Sequence, residues 1–203
     1  MDVIQTISSR RSIRRFKPLP ISRDIISSIL GAAILAPSAK NRQPWKFIVV
    51  EQNENKGMML NCMRAGISRL RAEYAKLHIL RSDVEQALET IDIMSQAPVT
   101  IFVFYRNDLC HAYEDGVDWK IGFKDIEVAD IQSIGAAIQN LLLGATAKGI
   151  GCLWNCDVLY AYSELCEWFN TTYPLIAAIT LGYPDENPEA RPRFSIEEVA
   201  EWK

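Results

Sequence analysis

The sequence predicts an α+β domain in which helices flank a mixed sheet. Three observations carry that reading. Four β-rich runs, Trp45–Val50, Val99–Tyr105, Ile150–Trp154 and Leu175–Gly182, are too few and too irregularly spaced for an all-β fold. Helical spacing of apolar residues occupies more of the chain than those runs do. The elements do not alternate as repeating βαβ units, which argues against a purely parallel sheet. With 203 residues, 49% hydrophobic and 23% charged, the composition is that of an ordinary globular chain, and one domain over residues 1–203 is the expectation.

The elements follow in order. Val3–Ile7 is short and apolar, one or two helical turns leading into the arginines, and Pro18 and Pro20 break the chain after them. Ser22 is an N-cap, Asp24 sits in the first turn, and Ile25, Ile26, Ile29, Leu30, Ala33 and Ile34 recur at helical spacing, giving a helix over 23–35. Pro37 ends it, and a polar loop leads through Pro44 into the first strand. Residues 51–66 show no clear period. Ile67, Leu70, Tyr74 and Leu77 predict a helix from about Gly66 to Ser82, followed by another over Asp83–Met94. Residues 106–128 have no clean period and are expected to form a lid or a loop over a pocket. The most apolar helix, 129–147, carries Ile131, Ile134, Ile138, Leu141, Leu142 and Ala145, with Gly149 at its C′ position. Apolar residues so far around its circumference require a central place, under a sheet or in a subunit interface. Tyr160–Phe169 reads as a last helix.

Charge and cysteine usage exclude several function classes. Lys plus Arg number 22 against 25 Asp plus Glu, a formal net charge of -3, without the basic excess of a nucleic-acid binder. No apolar stretch is long enough to span a bilayer, and the N-terminal residues lack a secretory h-region. Five cysteines without CxxC spacing fit a reducing cytosol, and with two histidines no metal site is expected. G-x-G-x-x-G, G-x-x-x-x-G-K, H-E-x-x-H and G-x-S-x-G are all missing, and no catalytic side chain stands out; Glu127, Asp130 and Asp157 are uninformative without geometry.

Three clusters are candidate sites. Arg10, Arg11 and Arg14, with Ser12 among them, offer guanidinium forks and a hydroxyl suited to phosphate oxygens, and Arg191 and Arg193 could close on the same anion. The alternative is a solvated basic surface paired with C-terminal carboxylates. The loop Ala36–Trp45 presents Ser38, Asn41 and backbone groups to a planar ligand, or is a helix–strand connection with Trp45 in the core. Cys152 and Cys156 share a strand face if the strand continues, and are buried thiols or, less simply, a redox dithiol.

Four segments together resemble the nitroreductase family of FMN-dependent oxidoreductases: SRRSIRRF at 9–16, APSAKNRQPWKF at 36–47, IGAAIQNLLLGATAKGIGCLW at 134–154 and LGYPDENPEARPRF at 181–194. The resemblance implies a mainly antiparallel central sheet, long central helices in a homodimer interface, and two interfacial FMN sites. Arg10, Arg11, Ser12 and Arg14, helped by Arg191 and Arg193, would hold the FMN phosphate and ribityl chain. Pro37, Ser38, Ala39, Asn41 and Gln43 would approach the flavin from the partner subunit. Trp154, Cys156 and Asp157 stand at the ring edge, where many relatives carry two glycines after the Trp; Lys40 replaces a common glycine. The implied chemistry is ping-pong at flavin N5: NADH or NADPH as transient donor, then a nitroaromatic, quinone or similar electron-poor small molecule as acceptor. Other flavin chemistry on the same fold (ring oxidation, reductive dehalogenation, flavin fragmentation) and a non-enzymatic flavin-binding protein are the alternatives.

Overall fold

The structure, a computed structural model, describes residues 2–51, 54–79, 82–106 and 123–203. Strands β1 (Trp45–Glu51), β2 (Val99–Tyr105), β3 (Gly151–Asn155) and β4 (Leu175–Gly182) form one sheet of order β1-β2-β4-β3. Every pairing in it is antiparallel. A mixed sheet was expected; among the described residues the parallel contact is a single bridge, Ser12 to Cys152. The reason is the order of entry. β2 and β3 run the same way, joined across helix α5 (Phe123–Ala147), but the last strand inserts between them and runs against both. Between β1 and β2 the chain makes two helical passes, α3 (Glu54–Lys76) and α4 (Ser82–Gln96), and so re-enters reversed.

Helices cover both faces. On one, α2 (Arg23–Ile34) and α5 bring Ile29, Ala33, Ile134, Ile138 and Leu141 onto Ile101, Val103, Ile179 and Leu181. On the other, α3, α4 and α6 (Tyr162–Trp168) bring Met59, Met63, Ile67, Met94 and Leu165 onto Phe102, Phe104 and Ala178. β2 is therefore buried along its whole length, which is why its sequence is an unbroken β-branched and aromatic run.

Several element bounds differ from the sequence expectation. α3 begins at Glu54, twelve residues earlier than expected, because Met59 and Met63 extend the buried stripe of Ile67 backward through a polar stretch. α5 begins at Phe123 rather than 129, so the end of the segment 106–128 is helical, while residues 107–122, the body of the expected lid, lie outside the described residues. A 3₁₀ turn at Asp157–Ala161 precedes α6 where one helix was expected. The short C-terminal α7 (Ile196–Val199) was not foreseen; Ser195 N–H donates to Glu198 Oε2 at 2.7 Å, an S-x-x-E capping box. Ser22 caps α2 as expected, and Gly149 has φ +70 beyond α5. Among the described residues no helix is long and apolar enough to cross a membrane.

Candidate functional site

The two chain ends meet at the β3–β4 edge. Helix α1 (Val3–Ser9) is capped by Asp2, whose carboxylate accepts from Gln5 N–H at 2.8 Å. Beyond it the chain is extended: Ile13 N–H donates to Cys152 C=O at 3.0 Å, and Lys17 N–H to Tyr183 C=O at 2.8 Å. Ile13 and Phe16 turn inward. Gly182 allows that approach, since a Cβ there would lie 2.6 Å from Phe16 Cδ1. The tail after β4 runs back along this segment, with Asp185 N–H on Arg15 C=O at 2.9 Å and Arg11 Nε on Pro188 C=O at 3.2 Å.

The result is a cleft of about 370 Å³ lined by Arg10, Arg11, Ser12, Arg14, Arg191 and Arg193, with Glu189 the carboxylate at its wall. Among the described residues none of these five guanidinium groups forms an ion pair. Arg11 donates instead to the carbonyls of Ser8 (2.8 Å), Arg10 (2.9 Å) and Pro188, and Arg193 to those of Arg191 (3.1 Å) and Pro192 (3.0 Å). The surface reading of the basic run holds for Arg15, which pairs with Glu186 at 3.3 Å and is exposed. Uncompensated cations held on backbone carbonyls repel one another, and a bound dianion would relieve that repulsion.

Cys152 lies behind the cleft, 1% exposed, its Sγ 3.8 Å from Leu142 C=O. Burial pushes its thiol up to about 11 from 9.0, with Arg10 pulling weakly the other way. The thiol form is thus favoured by folding: its contribution is complete below pH 9 and is lost as pH rises toward 11, amounting to about 3 kcal/mol. Thermal melts across that window are expected to fall for the wild type and to be flatter for Cys152→Ala; equal slopes would contradict the assignment. Cys156 does not share its face. It follows the strand in αR conformation (φ -96, ψ -13) and is exposed, so the two thiols are separate and unpaired.

In the loop, a 3₁₀ turn spans Ala39–Asn41, and Lys40, Asn41 and Gln43 take φ of 51, 54 and 49. Left-handed backbone at non-glycine residues costs about 1 kcal/mol each. The loop is held by Gln43 N–H on Ser38 Oγ (3.0 Å), Asn41 N–H on Ser38 C=O (3.0 Å) and Ala39 N–H on Ser133 Oγ of α5 (3.2 Å). Pro37, Asn41 and Gln43 are exposed, Ser38 and Ala39 half-buried. Trp45 is in the core, so the loop is a helix–strand connection that also presents polar groups. Sequence reasoning missed its anchor: Arg42 donates from Nε and Nη2 to Asp130 Oδ1 at 2.9 and 2.7 Å.

At the exit of β3, Trp154 is 40% exposed. Asp157, expected beside a ligand ring, turns its carboxylate to α4, where it accepts from Thr90 Oγ1 at 2.6 Å. Asn155 between them is buried.

The expected site residues fall into two groups. The arginines and Ser12 converge, and β3 runs about 10 Å from Cys152, beside Ser12, to its exit at Asn155. Pro37, Ser38, Ala39, Asn41 and Gln43 are not brought to them. Their anchor Ser133 is 13 residues, about 20 Å, along α5 from Thr146, which borders the arginines, and β1 and β3 are opposite sheet edges.

The fold is thus an antiparallel sheet covered by helices on both faces, with a guanidinium-lined cleft where the N-terminal segment meets the tail after β4. The chain belongs to the nitroreductase family, whose model matches residues 7–183. It is 28% identical over 193 residues to the Bacillus subtilis protein YfhC, designated an NAD(P)H nitroreductase, covering 94% of this chain and 88% of that one. A 5,6-dimethylbenzimidazole synthase of Rhodospirillum rubrum is 26% identical over 184 residues, 87% of this chain and 79% of that one. A Desulfovibrio desulfuricans protein designated a nitroreductase and solved with FMN superposes with a TM-score of 0.73 at 26% identity, covering 100% of this chain and 98% of that one.

Proposed function

We propose that this chain is a cytosolic FMN-dependent oxidoreductase that takes electrons from NADH or NADPH and passes them to an electron-poor small molecule such as a nitroaromatic or quinone. The observation that carries the reading is the cleft of five guanidinium groups without a carboxylate partner, next to an edge strand that leads from it toward an exposed exit. A phosphate dianion fits that donor set, and the length of β3 suits a ligand with its anionic end at Ser12 and its ring near Trp154. The Desulfovibrio relative's FMN and the Bacillus relative's designation support the same cofactor and donor.

When bound, FMN supplies hydride acceptance and donation at N5. The chain's own part is binding and orientation. Arg10, Arg11, Arg14, Arg191 and Arg193 hold the phosphate, Ser12 adds a hydroxyl, and Asp157, drawn to Thr90, keeps its charge turned toward α4. The exposed amides of Asn41 and Gln43 offer donors and acceptors to a planar ring. Because that loop and the cleft stand at opposite ends of α5, the reading requires a homodimer in which each loop serves the partner's cleft. Exposed Val3, Ile4, Ile7, Val128, Ile131 and Trp202 supply apolar surface for such a contact. The reading requires no protein nucleophile.

Purified protein is expected to be yellow and to release FMN, not FAD, on denaturation. A colourless protein that takes up no added FMN would overturn the reading. A second reading, flavin chemistry of another kind on the same fold, is supported by the Rhodospirillum relative, whose designation is a synthase and not a nitroreductase; it predicts that the FMN-loaded protein does not turn over NADH or NADPH with a nitroaromatic or quinone acceptor.

A further inference from the structure

Asp130 is the one carboxylate among the described residues with no exposed surface, and no part of the chemistry above uses it. It stands on α5 and its partners include Arg42, whose Nε and Nη2 donate to Oδ1 at 2.9 and 2.7 Å, and Tyr105, whose Oη donates to Oδ2 at 3.1 Å. One turn along the helix, Ser133 Oγ accepts Ala39 N–H at 3.2 Å and donates to Ala129 C=O at 2.7 Å. Arg42 lies between Asn41 and Gln43, two of the three left-handed residues of the loop, and its side chain is 11% exposed. A buried ion pair is a poor device for stability alone, since desolvation cancels most of its attraction; what it fixes is geometry. Here it fixes the one residue whose placement dictates which way both neighbouring amides face.

We propose that Arg42 and Asp130 are positioning residues: their buried pair, seconded by Ser133, clamps the strained 38–43 loop in the conformation that presents Asn41 and Gln43 to the FMN of the partner subunit. The inference rests on the FMN reading above. Tyr105, at the end of β2, ties the clamp to the fully buried strand, so the loop inherits the rigidity of the core. Sequence spacing offers no hint of this, since the pair is separated by 88 positions.

The test is the double variant Arg42→Met with Asp130→Asn, which removes both charges at once and leaves Tyr105 an acceptor. A purely structural pair is replaceable in this way with little change in stability. Three quantities are compared with wild type: the melting temperature of the apo-protein, amide exchange of residues 38–43 in the apo-protein, and FMN affinity with the visible circular dichroism of the bound flavin. The proposal expects a melting temperature near wild type, faster exchange at Asn41, Arg42 and Gln43, an altered flavin dichroism, and FMN binding weaker by about tenfold or more. Wild-type FMN affinity and dichroism in the folded double variant would overturn it. Should that variant not fold, Ser133→Ala carries the test, since it removes only the hydroxyl that accepts Ala39 N–H and donates to Ala129 C=O: weaker FMN binding supports the clamp, and unchanged binding overturns it. Failure of wild type itself to bind FMN overturns the cofactor reading and the clamp together, whereas binding by wild type with an unaffected variant overturns the clamp alone.

Discussion

Replacing Arg11 by Ala is expected to weaken FMN binding by about 2–5 kcal/mol, from roughly thirtyfold to several thousandfold. A guanidinium has five N–H donors, and three of Arg11's are spent on carbonyls: Pro188, Ser8 and Arg10. Its Nη2 donors have no partner among the described residues and are left for a ligand in the cleft. The same side chain joins Pro188 to the N-terminal segment across 177 positions, so its removal also loosens the tail that carries Arg191 and Arg193. Arg193→Ala removes a charge from the opposite wall and is expected to fall in the same range. Arg15→Ala is the control: that guanidinium pairs with Glu186 outside the cleft and should leave affinity near wild type. Isothermal titration of apo-protein with FMN measures all three. Unchanged affinity in both Arg11→Ala and Arg193→Ala would contradict a phosphate site built from two chain ends.

The largest expected loss of stability from a single methyl group is Gly66→Ala. A Cβ there would stand 2.4 Å from Ala161 Cα, 2.6 Å from Ala161 Cβ and 2.8 Å from Tyr160 C=O, all parts of the turn that follows β3. None of these atoms is the end of a flexible side chain, so α3 or the turn has to move. Overpacking of this kind costs about 1–3 kcal/mol or more, against about 1 kcal/mol gained from better helix propensity. Gly57→Ala in the same helix meets nothing within 4 Å and should raise stability by up to about 1 kcal/mol. Denaturant melts of the pair distinguish the two effects; equal stabilities would show that the α3–turn contact is looser than described. Because the turn carries Asp157, the Gly66 variant should also perturb the environment at the β3 exit.

What was legible in the sequence followed from local pattern. β2 and β4 could be bounded to the residue because each is an apolar run closed by turn-formers, and Ser22 with Asp24 marked the start of α2. The start of α3 was obscured because its buried face there is two methionines in a polar stretch, and the start of α5 because Phe123–Ala129 lacks a period. Strand direction depended on β4 inserting between β2 and β3, a consequence of the order in which distant segments dock. At the site, the arginines were visible as two clusters that could close on one anion, but not the means of their convergence, which relies on Ile13 and Phe16 turning inward beside Gly182. Arg42 and Asp130 gave no sign of pairing across 88 positions, and the engagement of Asp157 by Thr90 spans 67 positions. Long-range polar pairing of this kind leaves no local mark.

The measurement that bears most directly on the central claim is anaerobic stopped-flow mixing of the FMN-loaded protein with NADH and, separately, NADPH. The account predicts that at least one of them bleaches the flavin absorbance at a saturable rate, and that a quinone or nitroaromatic then restores it. A protein that holds FMN but is bleached by neither nucleotide would contradict an NAD(P)H-dependent oxidoreductase.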